Sequence, residues 1–134
     1  LIINDAEAEQ LTGESNLRTA ADQIRLMGPK IVVIKKGQHG CMLFDAEGRI
    51  FAIPALPLEK VVDPTGAGDS FAGGFMGCLA KHDATDFDTL KQAVVYGSIT
   101  ASFACEAFGP DRLAQVDAAQ IDERYAAFRA LTEF

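Results

Sequence analysis

The chain opens on three consecutive apolar residues, Leu1, Ile2 and Ile3, and turns polar at Asn4. An unbroken apolar run reads as a strand buried on both faces, and its abrupt start predicts a chain that begins inside a strand of a larger domain. Ala6 to Leu11 follow as a short helix stopped by Thr12 and Gly13. Ser15 or Asn16 can cap a second helix, in which Leu17, Ala20, Ala21, Ile24 and Met27 keep helical spacing and Gly28 with Pro29 form the stop. The β-branched run Ile31 to Ile34, bounded by Pro29 and Gly37, predicts a strand buried on both faces.

Beyond this point the pattern shortens. Cys41 to Phe44 and Arg49 to Ile53 flank Asp45-Ala46-Glu47-Gly48, a hairpin signal with Gly at the position that needs a left-handed backbone. Pro54 and Pro57 break the pattern, and Val61 and Val62 are read as a strand leading into a Gly-rich segment. From Ala67 to about Ala80 the small and apolar residues predict a helix packed closely on a sheet. Gly73, Gly74 and Gly77 each cost about 1 kcal/mol there relative to Ala, which close backbone packing must offset. Asp86 or Asp88 can cap a long helix through Ala104, and Asp117 a last one from Ala118 to about Thr132. Strands alternating with helices predict an α/β domain with a mostly parallel sheet and one β-hairpin.

The 134 residues fit one domain. A net charge of −7 disfavours nucleic acid as a partner, since phosphate neutralisation needs clustered Lys and Arg. Only residues 31–60 carry a net positive charge, +1, and they include Lys35 and Lys36, so any bound polyanion should be small and locally gripped. Cys41, Cys78 and Cys105 are odd in number and far apart, which argues against a zinc site or a disulfide framework and for buried thiols in a reducing compartment. No apolar run reaches about 18 residues and no basic, then apolar leader opens the chain, so no membrane partner is expected and cytoplasm is the expected location.

The chemistry concentrates in Val61-Val62-Asp63-Pro64-Thr65-Gly66-Ala67-Gly68-Asp69-Ser70-Phe71-Ala72-Gly73-Gly74. It lacks the Lys of a P-loop, and Phe71 replaces the third Gly of a dinucleotide fingerprint. What remains is a turn of small residues at a helix start, where the N–H groups of Gly66, Ala67 and Gly68 can converge on one anion. A carboxylate at such a place is unfavourable unless it has a task, and accepting the proton of an attacking hydroxyl is the obvious one. Asp69 is the candidate, with the helix dipole favouring its negative form.

The segment from Asp63 to Asp69, with Ser70-Phe71-Ala72-Gly73-Gly74 after it, closely resembles the C-terminal signature of the ribokinase-like (PfkB-type) carbohydrate kinase family; Pro64 stands where many members have Thr. The resemblance implies a ribokinase-like three-layer α/β/α fold, with residues 1–134 as its C-terminal nucleotide-binding and catalytic portion and the N-terminal part and lid absent. It implies ATP and Mg²⁺ as cofactors, and a sugar or nucleoside as the small-molecule partner whose alcohol group receives the γ-phosphoryl group. Asp69 is then the catalytic base, and the N–H groups from Gly66 to Asp69 stabilise the migrating group. Asn4-Asp5-Ala6-Glu7 resembles the family's Asn-x-x-Glu element, whose polar groups act on phosphate and, through Glu7 indirectly, on hydrated Mg²⁺. Lys35-Lys36-Gly37-Gln38-His39-Gly40 resembles its nucleotide loop, with Lys35 near phosphate and the Gly37 and Gly40 backbone near the nucleotide. Gly97, Ser98 and the loop from Glu106 to Leu113 fall where the family closes over adenine. Asp63 is a candidate for a monovalent cation such as K⁺, and a homodimer is one assembly open to the protein.

Plainer readings stand beside these. Gly37 and Gly40 can serve only as a turn, and Asn4 with Glu7 has the spacing of a helix capping box. Asp63 can be a structural acid at a strand end. His39 reads as a solvated loop residue, His82 as a favourable charge at a helix C-terminus, and Asp83, Asp86 and Asp88 as helix caps and a turn rather than a metal cluster. A non-catalytic nucleotide-binding or assembly fragment is the alternative from another class, a nucleoside or vitamin-precursor kinase the alternative on the same fold. The isolated 134-residue chain is expected to phosphorylate little or no sugar.

Overall fold

The computed structural model describes residues 1–133. They form two compact units, the first spanning Leu1–Ala55 and the second beginning at Leu56. The first holds strand β1 (Ile2–Asn4), helices α1 (Asp5–Thr12) and α2 (Leu17–Leu26), and strands β2 (Val32–Lys35), β3 (Cys41–Phe44) and β4 (Ile50–Ile53). The sheet order is β1-β2-β3-β4. β1 runs parallel to β2, whereas β2, β3 and β4 pair antiparallel in sequence, so one of the three pairings is parallel. The α/β alternation and the hairpin thus appear as expected, in a mixed sheet. The short Gly37–His39 turn lets the chain reverse after β2, where a parallel crossover would need a dozen or more residues.

β2 is buried on both faces, with Val32, Val33 and Ile34 fully enclosed. Its neighbours in the core are Ala8 from α1, Ala20, Ala21 and Ile24 from α2, and Phe44 from β3. Two positions depart from the periodicity reading. β1 is half-buried, because β2 is its only strand neighbour among the described residues. Met27 is 57 % exposed, because α2 ends at Leu26 and the helical spacing that would turn Met27 inward ends with it. Asn16, rather than Ser15, caps α2 and accepts from the amides of Arg18 and Thr19.

The β3–β4 turn is held by Asp45, whose side chain is 2 % exposed. Its carboxylate accepts from the amides of Glu47 and Arg49 at 3.1 and 2.7 Å and from Arg49 Nε at 2.6 Å, and Gly48 takes the left-handed conformation at φ 79°. Burial pushes the Asp45 carboxyl up, but the hydrogen bonds from Arg49 and Glu47 outweigh it and hold the group below the usual carboxylate range.

The second unit is helical: α3 (Ala67–His82), α4 (Phe87–Ala104), α5 (Asp111–Ala114) and α6 (Ala118–Thr132). Val61 and Val62 are not in a strand. The amides of Val62 and Asp63 instead donate to the Cys105 carbonyl at 2.8 and 3.3 Å, so this segment satisfies the C-terminus of α4. α3 meets α4 at glycine. A Cβ on Gly74 would stand 2.7 Å from the Tyr96 carbonyl oxygen, and one on Gly97 2.9 Å from the Phe71 carbonyl oxygen. Gly73 and Gly77 have no atom within 4 Å of that position, so the close approach accounts for only one of the three α3 glycines.

Asp86 caps α4 by accepting from the amides of Asp88 and Thr89, Asp88 pairs with Lys91 at 2.7 Å, and Asp83 ends α3 in the left-handed region. His82 lies in the last turn of α3. Cys41 and Cys78 are buried, Cys105 is half-buried, and none of the three is in a disulfide among the described residues. Among the described residues no helix is long and apolar enough to cross a membrane.

Candidate active site

In the first unit the candidate residues gather at one end of the parallel strand pair. Asn4, the last residue of β1, is in register with Lys35, the last of β2, and Lys35 is in register with Cys41 of β3. The C-terminal ends of parallel strands are where α/β sheets bind ligands. Asn4 and Glu7 do form the capping box: Asn4 Oδ1 accepts from the Glu7 amide at 2.8 Å and Glu7 Oε2 from the Asn4 amide at 2.7 Å. That leaves Glu7 Oε1 and the Asn4 side-chain NH₂ without a partner among the described residues, pre-oriented at the helix N-terminus.

After Lys35 the chain folds into a tight loop, in which Lys36 N–H donates to the Gly40 carbonyl at 2.7 Å and His39 N–H to the Lys36 carbonyl at 3.0 Å. Gly37 and Gly40 have φ of 55° and 85°, and a Cβ on Gly40 would stand 2.6 Å from the carbonyl carbon of Pro54. Gly40 is therefore required by the fold itself. His39 is exposed.

In the second unit the Gly-rich turn delivers the chain into α3 through Gly66, whose φ of 81° a side chain would strain. No side chain caps α3. Of the amides expected to face an anion, that of Ala67 is turned to the Pro64 carbonyl at 3.1 Å, while those of Gly66, Gly68 and Asp69 have no partner among the described residues. The bond to Pro64 closes the turn that Pro and Gly dictate, and it takes Ala67 out of the set of free donors. Asp69 follows in the first turn, exposed, its carboxylate bonded to no described residue. Free N–H groups and a free carboxylate at one helix start suit a reaction in which an oxyanion and a proton must be handled together.

Asp63 lies two residues before Thr65 and accepts from its amide at 2.9 Å; hydrogen bonds from the Thr65 side chain and amide hold its carboxyl below the usual range. Ser98 is half-buried in α4, next to the packing glycine Gly97.

Sequence reasoning missed the cluster that organises the segment after α4. Glu106 receives Arg124 of α6 on one carboxylate oxygen and Arg112 of α5, at 3.2 Å, on the other. Arg124 also donates to Ser102 Oγ at 2.7 Å and stacks over the Phe103 ring at 3.5 Å, with Arg112 5.0 Å from the same ring. Five residues separated by up to 22 positions carry no local signal. The alternation of Arg and acid on short helices is the nearest hint, and it fits a solvated face equally well.

The pfkB family carbohydrate kinase model matches residues 1–116. Cytidine kinase of Thermococcus kodakarensis is 45 % identical over 75 residues, which is 54 % of this chain and 26 % of that protein. The solved aminoimidazole riboside kinase of Salmonella enterica, complexed with aminoimidazole riboside and an ATP analogue, superposes with a TM-score of 0.77 at 32 % identity over 92 % of this chain and 40 % of that one. Ribokinase of Giardia lamblia has the same fold, with a TM-score of 0.80 at 20 % identity over 95 % of this chain and 43 % of that one. The chain thus spans well under half the length of these relatives. With a family match over most of its residues and the ribokinase fold, the chain belongs to the pfkB family of carbohydrate kinases.

Proposed function

We propose that residues 1–134 are the C-terminal nucleotide-binding and catalytic portion of an ATP-dependent kinase that phosphorylates an alcohol group of a sugar or nucleoside. The observation that carries this reading is the start of α3, where the unpartnered amides of Gly66, Gly68 and Asp69 accompany the unpartnered Asp69 carboxylate. Asp69 takes the proton of the acceptor hydroxyl as its oxygen bonds to the γ-phosphorus, and the bond from that phosphorus to the β,γ-bridging oxygen breaks to release ADP. The free amides offset the negative charge on the migrating group, and losing one such donor costs about 2.7 to 4 kcal/mol in other enzymes.

Asn4, Glu7, Lys35, Gly37, Gly40 and Ser98 are the proposed nucleotide contacts. The free Glu7 oxygen suits hydrated Mg²⁺, which binds through one or two carboxylates, water and substrate phosphates, and which would neutralise phosphate charge. Asp63 is the proposed carboxylate for a monovalent cation, K⁺ being the proposed one. Asp69→Asn should lower kcat on the order of 10² to 10⁴-fold with ATP binding retained. Undiminished turnover in that variant sinks the base assignment, and MgATP binding without turnover by the wild-type protein at its native length favours a non-catalytic nucleotide module.

A further inference from the structure

An anion hole made of backbone amides sets a mechanical problem. The Gly68 and Asp69 amides in the first turn of α3 have no partner among the described residues because no side chain caps them, and a cap is what ordinarily fixes a helix's first turn. The turn must be secured from its carbonyl side instead. Thr100 of α4 is placed to do this: its Oγ1 lies 2.6 Å from the carbonyl oxygen of Ser70, the residue after Asp69. The same hydroxyl also lies 2.9 Å from the Gly97 carbonyl and 3.1 Å from that of Tyr96, the bonds that a helical Thr makes to its own helix. The interhelical contact is the shortest of the three. It exists because Gly74 and Gly97 let the two helices approach so closely, and a Cβ on Gly74 would collide with the Thr100 side chain.

We propose that Thr100 is a positioning residue for phosphoryl transfer, pinning the Ser70 carbonyl so that the Asp69 carboxylate and the Gly68 and Asp69 amides keep their direction while remaining unbonded. The assignment deepens the kinase reading of Asp69 and rests on it. Thr100 touches no reacting atom in this scheme; it acts through the first turn of α3. An interaction that orients groups used in the transition state should appear in kcat rather than in KM.

The test compares Thr100→Val, which keeps the shape and removes the hydroxyl, with Thr100→Ser, which keeps the hydroxyl, in the protein purified at its native length. Val94→Ala, a cavity at a fully buried site elsewhere in α4, reports what destabilisation alone does. Thr100→Val should lower kcat on the order of 10- to 100-fold, as small misplacements of reacting groups do, with little change in KM for ATP. Thr100→Ser should restore most of that loss, and Val94→Ala should leave kcat per folded molecule unchanged. Backbone NMR should show the Gly68 and Asp69 amides displaced in Thr100→Val and unmoved in the other two variants. Equal kcat loss in Val94→Ala, no rescue by Ser, or unmoved amides in Thr100→Val overturns the positioning role. Absence of any phosphoryl transfer by the wild-type protein overturns the kinase reading instead, and the amide displacements then still decide whether Thr100 sets the turn.

Discussion

Gly40 is a residue that the fold requires whatever its role in binding. The Gly-x-x-Gly spacing after β2 suggests a backbone that approaches a nucleotide, yet Gly40 is already forced by a φ of 85° and by the Pro54 backbone lying where its Cβ would be. Gly40→Ala should therefore destabilise the protein by more than about 1 kcal/mol before any ligand is added. Gly37→Asn, at a left-handed site with nothing within 4 Å, should cost less, since Asn tolerates that region. Thermal unfolding without nucleotide separates the two cases, and equal losses would contradict this account of Gly40. Ala67 is the converse. Its place in the Gly-rich motif was legible, whereas the direction of its N–H, toward Pro64, depends on turn geometry that residue identity does not disclose.

At the scale of elements, the sequence located α2 by helical spacing, α3 by its run of small and apolar residues, and α4 and α6 by the acids able to cap them. It missed α5, whose four residues are too short for a period. The three glycines of α3 looked alike in sequence and are not alike in the structure: Gly74 is locked against α4, and Gly73 and Gly77 face no described atom. Gly73→Ala and Gly77→Ala should each raise stability by about 0.5 to 1 kcal/mol through helix propensity, and Gly74→Ala should lower it by forcing α3 from α4. Urea midpoints of the three variants check the ordering; a stabilised Gly74→Ala would contradict the close α3–α4 approach.

For the molecule as a whole, pH links these local features to stability. Asp45, Asp63 and Asp86 all have carboxyls held below the ordinary range, Asp45 against its burial by bonds from Arg49, and the other two by bonds from Thr65 and Thr89. A carboxyl depressed in the folded state adds stability above its unfolded pKa, near 4, and loses it as pH falls through the folded value. The Cys78 and Cys105 thiols and the Tyr96 hydroxyl are pushed up by burial, so their contribution is present below the unfolded values, about 8.5 and 10, and is lost as pH rises through the folded ones. Stability should be flat from about pH 5 to 8 and should fall on both sides. Denaturant midpoints from pH 3 to 10 test this, and Asp45→Asn should flatten the acid limb, because Asp45 is the most deeply buried of the three carboxylates.

The sequence by itself determined the family, the order of most elements, the capping-box spacing of Asn4 and Glu7, the cap at Asp117 and the Asp69 motif, and it narrowed the cap of α4 to Asp86 or Asp88. All of these are local, set by periodicity, by spacing within a turn or by a contiguous run of residues. Only the tertiary structure decided what crosses long stretches of chain. It paired Asn4 with Lys35, tied the amides of Val62 and Asp63 to Cys105, gathered Arg112 and Arg124 on Glu106, and brought Thr100 to the carbonyl beside Asp69. Each of those contacts joins groups whose separation along the chain is filled by other elements. Their geometry follows from how helices and strands pack, which no local pattern encodes.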